Sequence, residues 1–151
     1  MAFFHIKNNG YLLIELLIAI SILMTLLFLG VPALSWHRQY YAVDAMTREI
    51  IMDLHQLRQQ AIGNGLGGMD DWCLSVRDQE YRIVQNGYII YKKRPFSDRV
   101  YIPIEESRKD FRFDVQGRPK GKNMRITVRS ADDRYERRII IAAQTGRIRV
   151  E

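Results

Sequence analysis

The chain has 151 residues, 26% of them charged and 11% aromatic, a mixture that excludes a disordered or low-complexity protein. Setting aside the N-terminal leader and the uncharged apolar run that follows it leaves roughly 115 residues, room for one hydrophobic core and not two. A single cysteine, Cys73, excludes an intrachain disulfide, and the net charge of +6 points toward anionic partners.

From Leu16 to Trp36 no side chain carries a formal charge. About twenty such residues reach about 30 Å as a helix, the thickness of a bilayer's hydrocarbon core. Leu, Ile, Met and Ala dominate, so a membrane-spanning helix is predicted over residues 11–36; in lipid a single segment must satisfy its own backbone. The run is too long for the apolar core of a secretory signal, and no small-x-small site follows it before Trp36. One carboxylate, Glu15, stands near its start. An acid in that setting calls for a cationic partner, or else snorkels toward the headgroups at the helix N-terminus. A cut after Gly10 would supply the partner. Residues 1–10 would leave as a leader, and the new α-amine of Tyr11 could meet Glu15 of a neighbouring, axially shifted subunit.

Beyond Pro32, where the rod is expected to bend or loosen, helical periodicity resumes over residues 37–62. Val43, Met46, Ile50, Leu54, Leu57 and Ala61 recur at spacings of three and four and predict one apolar face. Thr47, Arg48, Glu49, Asp53, Arg58 and Gln59 are assigned to the solvated face, with Asp44 and Arg48 placed to pair. The two helical halves together make a rod of about fifty residues, roughly 75 Å long. The run Gly63-Asn-Gly-Leu-Gly-Gly68 ends it. No Lys-Ser/Thr follows these glycines, which excludes a phosphate-binding loop.

Residues 63–151 are predicted to form a globular β domain. Trp72, Leu74 and Val76 alternate with Cys73 and Ser75, and Cys73 is read as a small buried hydrophobe. Asn86-Gly87 between two β-prone runs predicts a hairpin with a type I′ turn. Val100 to Ile104 reads as a short strand, with Pro103 marking an edge or an end. Phe111, Phe113 and Val115 then open a C-terminal meander. It continues through Ile126 and Val128, Ile139 and Ile141, and Ile148 and Val150, with turns at Asp132-Asp133 and Thr145-Gly146. The fold class is therefore α+β, a long N-terminal helix packed on a C-terminal antiparallel sheet.

No catalytic constellation stands out. His5, His37 and His55 are scattered, and the chain lacks HExxH, CxxC, GxSxG and P-loop motifs. Neither enzyme activity nor a cofactor or metal is expected. The remaining chemical signal is basic: from Arg108 onward thirteen Lys/Arg stand against six Asp/Glu. Strand alternation puts Arg125 and Arg129 on one face, and Arg147 and Arg149 on one face. If both pairs share the solvent side, they form a stripe able to track DNA phosphates or anionic lipid. Asp132, Asp133 and Glu136 lie close by, the pattern of an ordinary solvated face.

Lys7, Gly10, the aromatic Tyr11, Glu15 and the unbroken apolar run resemble the N-terminus of type IV prepilins and pseudopilins. Tyr11 stands where Phe is usual and Leu12 where Thr is frequent. Pro32 falls where many pilins carry a helix-bending proline. The C-terminal meander resembles the GspH/FimT class of minor pseudopilins, and within it the ComGD type of competence pseudopilin. The resemblance covers most of the chain and least of residues 64–104. It implies a pilin-like fold, cleavage between Gly10 and Tyr11 by a prepilin peptidase, and N-methylation of Tyr11. Assembly would run through Glu15 into a filament of other pilins or pseudopilins, for DNA uptake in natural transformation. FimT-like relatives end in a Gly-Arg-x-Arg linked to DNA binding, matched here by Gly146-Arg-Ile-Arg149. A GspH-like role in type II secretion is the other function implied. The chain would be a single-pass inner-membrane protein, N-terminus in the cytoplasm, until incorporated into a periplasmic or surface filament.

Overall fold

The computed structural model describes residues 9–63, 71–121 and 124–151. Outside that description lie most of the expected leader (1–8), the glycine run at 64–70, residues 122–123, and the side chains at 9–11 and 30–36. Helix α1 (Asn9–Gly63) is followed by β1 (Trp72–Val76), β2 (Glu80–Gln85), β3 (Ile89–Pro95) and β4 (Val100–Tyr101). Then come β5 (Asp110–Arg112), β6 (Met124–Ser130), β7 (Glu136–Ile141) and β8 (Ile148–Val150). The architecture is α+β. The chain divides into two compact units, Met1–Arg38 and Gln39–Glu151.

In the first unit, Leu12–Leu29 has a mean hydropathy of 2.8 and none of it is buried. It is long and apolar enough to cross a membrane. Gly30 and Pro32 both lie within helical backbone.

In the second unit the apolar stripe of α1 forms one wall of the core. Val43, Ile50, Leu54 and Leu57 are buried, with Met46 and Ala61 packed against them. Each fully buried aliphatic side chain contributes about 1.5–3 kcal/mol. The covered sector is wider than periodicity predicts. Thr47 and Asp53, assigned to the solvated face, are buried. They flank Ile50 and Leu54, and Asp53 is tolerated there because Tyr81 and Lys92 donate to it. Asp44 does not pair with Arg48. It accepts instead from Arg137 at 3.1 Å and from the Tyr135 hydroxyl at 3.4 Å, both from the β7 side.

The strands form two four-stranded antiparallel sheets, where the sequence predicts one meander. The first has the order β3-β2-β1-β5, the second β4-β6-β7-β8. The strand around Phe111 leaves the expected meander and pairs with β1, setting Phe111 opposite Leu74. Leu74, Ile83 and Phe111 share one apolar face, so burial decides the partner over sequence proximity. Val115 does not continue that strand. It is 56% exposed in a turn in which the Asp114 carboxylate accepts from the backbone N–H of Gln116 and Arg118. The strand expected over 100–104 stops at Tyr101, before Pro103. The type I′ hairpin holds: Asn86 and Gly87 have φ of 55° and 80°, and Tyr88 N–H donates to Gln85 O.

Two glycine turns meet at the end of α1. Gly117 (φ 74°) and Gly146 (φ 64°) both occupy the left-handed region. A Cβ on Gly146 would overlap the Gly117 carbonyl oxygen. Arg58 seals the junction, donating from Nε to Gly117 O at 3.0 Å and from Nη2 to Thr145 O at 3.2 Å.

Candidate functional site

Two regions hold the residues singled out from the sequence. The first is the start of α1. Gly10 and Tyr11 lie in helical backbone, within the first turn after Asn9, and their side chains are outside the description. Glu15 follows one turn later on the exposed surface of the apolar segment. Among the described residues no group bonds or pairs with its carboxylate. The hydroxyls within the segment are accounted for locally. Ser21 donates to Leu17 O at 2.7 Å and Thr25 to Ser21 O at 2.8 Å, the i to i−4 bond that hides a hydroxyl on an apolar helix. Glu15 is thus the one ionisable side chain of Leu12–Leu29, and its partner must come from outside this segment.

The second region is the outer face of the second sheet. Paired residues of an antiparallel ladder point to the same side. The register sets Arg125 opposite Ile140 and Ile140 opposite Arg149, so Arg125 and Arg149 share a face across β7. Arg129 follows Arg125 at the same parity, opposite Glu136, while Arg147 precedes β8 in phase with Arg149. The inner face carries Ile126, Val128, Ile139 and Ile141, all buried. The structure therefore brings Arg125, Arg129, Arg147 and Arg149 onto one side, and adds Arg138, which faces Thr127.

Most of these cations are already engaged. Arg125 Nε donates to Glu106 Oε1 at 2.9 Å. Arg129 pairs with Glu136 at 2.9 Å and lies 3.8 Å from Asp133. Arg138 also pairs with Glu136, and Arg149 lies 3.3 Å from Glu151. Arg147 has no carboxylate partner among the described residues. The pairs of Arg129, Arg138 and Arg149 are exposed and worth about 0–1 kcal/mol each, whereas Arg125 pairs with a buried carboxylate.

Sequence reasoning missed Glu106, which lies between the strand expected over 100–104 and the one opened by Phe111 and was given no role. It is 6% exposed. Its carboxylate accepts from the Thr127 backbone N–H, the Thr127 hydroxyl and Arg125. Because β4 pairs only with residues 129 and 130, the edge of β6 at Thr127 would otherwise be open, and Glu106 closes it. A carboxylate filling a gap in a ladder leaves no mark in a single sequence.

A third polar cluster tethers the first sheet to α1. Tyr81 donates to Asp53 at 2.7 Å, and Lys92 Nζ lies 2.7–2.9 Å from both Asp53 oxygens. Glu49 takes Lys92 at 3.1 Å and Arg94 at 2.8 Å. Burial pushes the Lys92 ammonium down, but its bonds to Asp53 and Glu49 outweigh this and hold it above the ordinary lysine range. Burial likewise raises Glu49, and Lys92 and Arg94 together hold it below the usual carboxylate range. Burial, reinforced by the bond to Asp53, pushes the Tyr81 phenol far above its usual value. Every polar group here is consumed by another, so the cluster is a structural clasp. Cys73 is buried and its thiol is pushed up, chiefly by burial and then by the Asp110 charge, so it is a poor nucleophile.

Comparison with family models, with characterised proteins and with solved structures found no match to this chain.

Proposed function

We propose that the chain is a minor pseudopilin, a subunit of a type IV pilus-like filament anchored in the inner membrane until assembly. The observation that carries this reading is the apolar segment Leu12–Leu29, with one carboxylate near its start and every residue unburied. Such a surface is stable only in lipid or against other apolar helices. Cleavage between Gly10 and Tyr11 would give Tyr11 a cationic amine, which N-methylation keeps charged. Glu15 of one subunit then meets that amine on the next, and the spans pack side by side as a filament grows. The fold beyond the span, an amphipathic helix under antiparallel sheets, suits a pilin-like head. Among filament systems, the resemblance of the C-terminal half favours one for DNA uptake over type II secretion. Direct DNA contact by this subunit draws less support, since Arg125, Arg129 and Arg149 each already face a carboxylate.

Mass spectrometry of the N-terminus, from cells containing a prepilin peptidase, tests the reading. The expected product begins at a methylated Tyr11. A chain that keeps residues 1–10 in the presence of active peptidase, or is released whole into solution, overturns it.

A further inference from the structure

The outer face of the second sheet holds two adjoining grooves, of about 640 and about 300 Å³, that share Ile140 and Ala142 as floor. Ala143 extends that floor, and at this end of the sheet the larger groove also reaches Met124 and Ile141, which belong to the core side. The rim is cationic: Lys109 and Arg125 on one side, Arg147 and Arg149 on the other. Among the described lining residues the one acid, Glu106, is spent on Thr127 and Arg125. Lys109 and Arg147 have no carboxylate partner among the described residues, so each rim keeps one uncommitted cation. The register makes the pattern regular. Arg125, Ile140 and Arg149 form one row across three strands, cation, aliphatic, cation, at about 4.8 Å per strand. Arg147 stands beside Ala142, whose N–H donates to its carbonyl, so an aliphatic and a cation are adjacent again one step along.

This pattern discriminates among anions. A phosphate backbone needs only the cations and leaves an aliphatic floor uncovered. A single-stranded nucleic acid needs aromatic rings for its bases, and among the described residues none lines the grooves. A segment that carries both aliphatic side chains and carboxylates uses floor and rims together. We propose that this face is a docking groove for an extended acidic peptide segment of a partner protein. Its aliphatic side chains would lie on Ile140 and Ala142, and its carboxylates would meet Lys109, Arg147 and Arg149. Among the described strands β8 lies at the edge of its sheet, where such a segment would continue as an added strand.

The test uses the full chain in non-ionic detergent micelles and fluorescence anisotropy. The probe is a labelled peptide of alternating Glu and Ile; its Lys-Ile counterpart and a short duplex DNA are the comparisons. The Glu-Ile peptide is expected to bind and the Lys-Ile peptide not to. Lys109→Glu with Arg147→Glu should weaken binding at least about tenfold, since each reverses a charge at the contact. Arg48→Glu with Arg99→Glu, which reverses two exposed cations elsewhere, should change it less than about twofold. Ala143→Trp, which fills the floor and leaves the charge unchanged, should also weaken it about tenfold. Equal losses in the two charge-reversed variants, or no loss in Ala143→Trp, would mean non-specific attraction and overturn the proposal. Tighter binding of duplex DNA that ignores Ala143→Trp would overturn it in favour of a phosphate-tracking face.

Discussion

The clasp between α1 and the first sheet offers a perturbation whose sign, not only its size, is diagnostic. Lys92→Met keeps the aliphatic stem over Tyr81, whose ring centroid lies 5.8 Å from Nζ, and removes the charge. Asp53 then keeps its own charge with Tyr81 as its remaining donor, at a side-chain exposure of 8%. Breaking a fully buried pair costs about 3–5 kcal/mol. Lys92 is 32% exposed, so water screens part of that, and about 2 kcal/mol is expected. For a folded unit of this size that lowers Tm by about 8 °C. Adding Asp53→Asn should recover about 1 kcal/mol, because the amide oxygen still accepts from Tyr81 and no unpaired charge remains. Tyr81→Phe alone should cost about 1.5 kcal/mol. Thermal and urea unfolding of the full chain in micelles, followed by circular dichroism, measures all three variants against the unaltered chain. Should Lys92→Met prove neutral, or Asp53→Asn fail to rescue it, Asp53 is solvated and the clasp is an ordinary surface pair.

The same contacts set a pH window. Glu49 is held low, so its contribution is complete above its unfolded pKa of about 4.3 and lost as pH falls through its folded value. Lys92 is held high, so its contribution is complete below about 10.4 and lost as pH rises through its folded value. Tyr135, pushed up to about 12 by burial, by its hydrogen bond with Tyr40 and by the Asp44 charge, adds to the alkaline loss, since the unfolded phenol ionises first. Tm measured against pH should therefore show a plateau between about 5 and 10 whose acid limb is shallower in Glu49→Gln. Gly146→Ala should cost at least about 2 kcal/mol in urea unfolding, left-handed strain plus a collision with Gly117 O; a loss under about 0.5 kcal/mol would show that the two turns separate freely. Cys73 should resist maleimide labelling at neutral pH until the chain unfolds, and rapid native labelling would contradict its burial. Glu15→Ala should leave membrane insertion intact, as judged by carbonate extraction, and abolish incorporation into filaments; normal incorporation would remove the pairing role.

How much of this was legible in the sequence depends on how local the cause was. The helix end near Gly63, the type I′ turn at Asn86-Gly87 and the buried stripe from Val43 to Leu57 follow from period and turn chemistry alone. The division into two sheets was not legible. Phe111 and Phe113 read as an alternating strand that opens the C-terminal meander, and only the facing Leu74 takes that strand into the first sheet. The burial of Asp53 was hidden for the same reason, because its partners lie 28 and 39 residues away. Of the basic face, alternation gave the parity within each strand, while the β6-β7-β8 register was needed to show that both arginine pairs share a side.

That register also changes what the charge count means. Thirteen basic residues from Arg108 onward would make a large field if all were free, and most of them are not. Arg108 is held by Asp78, Arg112 and Arg118 by Asp71 and Asp114, Arg137 by Asp44, and Arg129 and Arg138 by Glu136. Each such pair cancels at distances beyond about 10 Å in physiological salt. What a partner meets at close range is set by the few cations left over and by the surface between them. On this face those are Lys109 and Arg147, with Ile140 and Ala142 in between. A ligand that merely neutralises charge gains little there, because most of the charge is already neutralised. One that also covers the aliphatic floor gains about 25 cal/mol for each Å² it removes from water, a contribution that added salt does not weaken. Salt dependence therefore separates the two kinds of ligand: affinity for the alternating acidic-aliphatic peptide should fall less steeply with salt than affinity for a polyphosphate of equal charge.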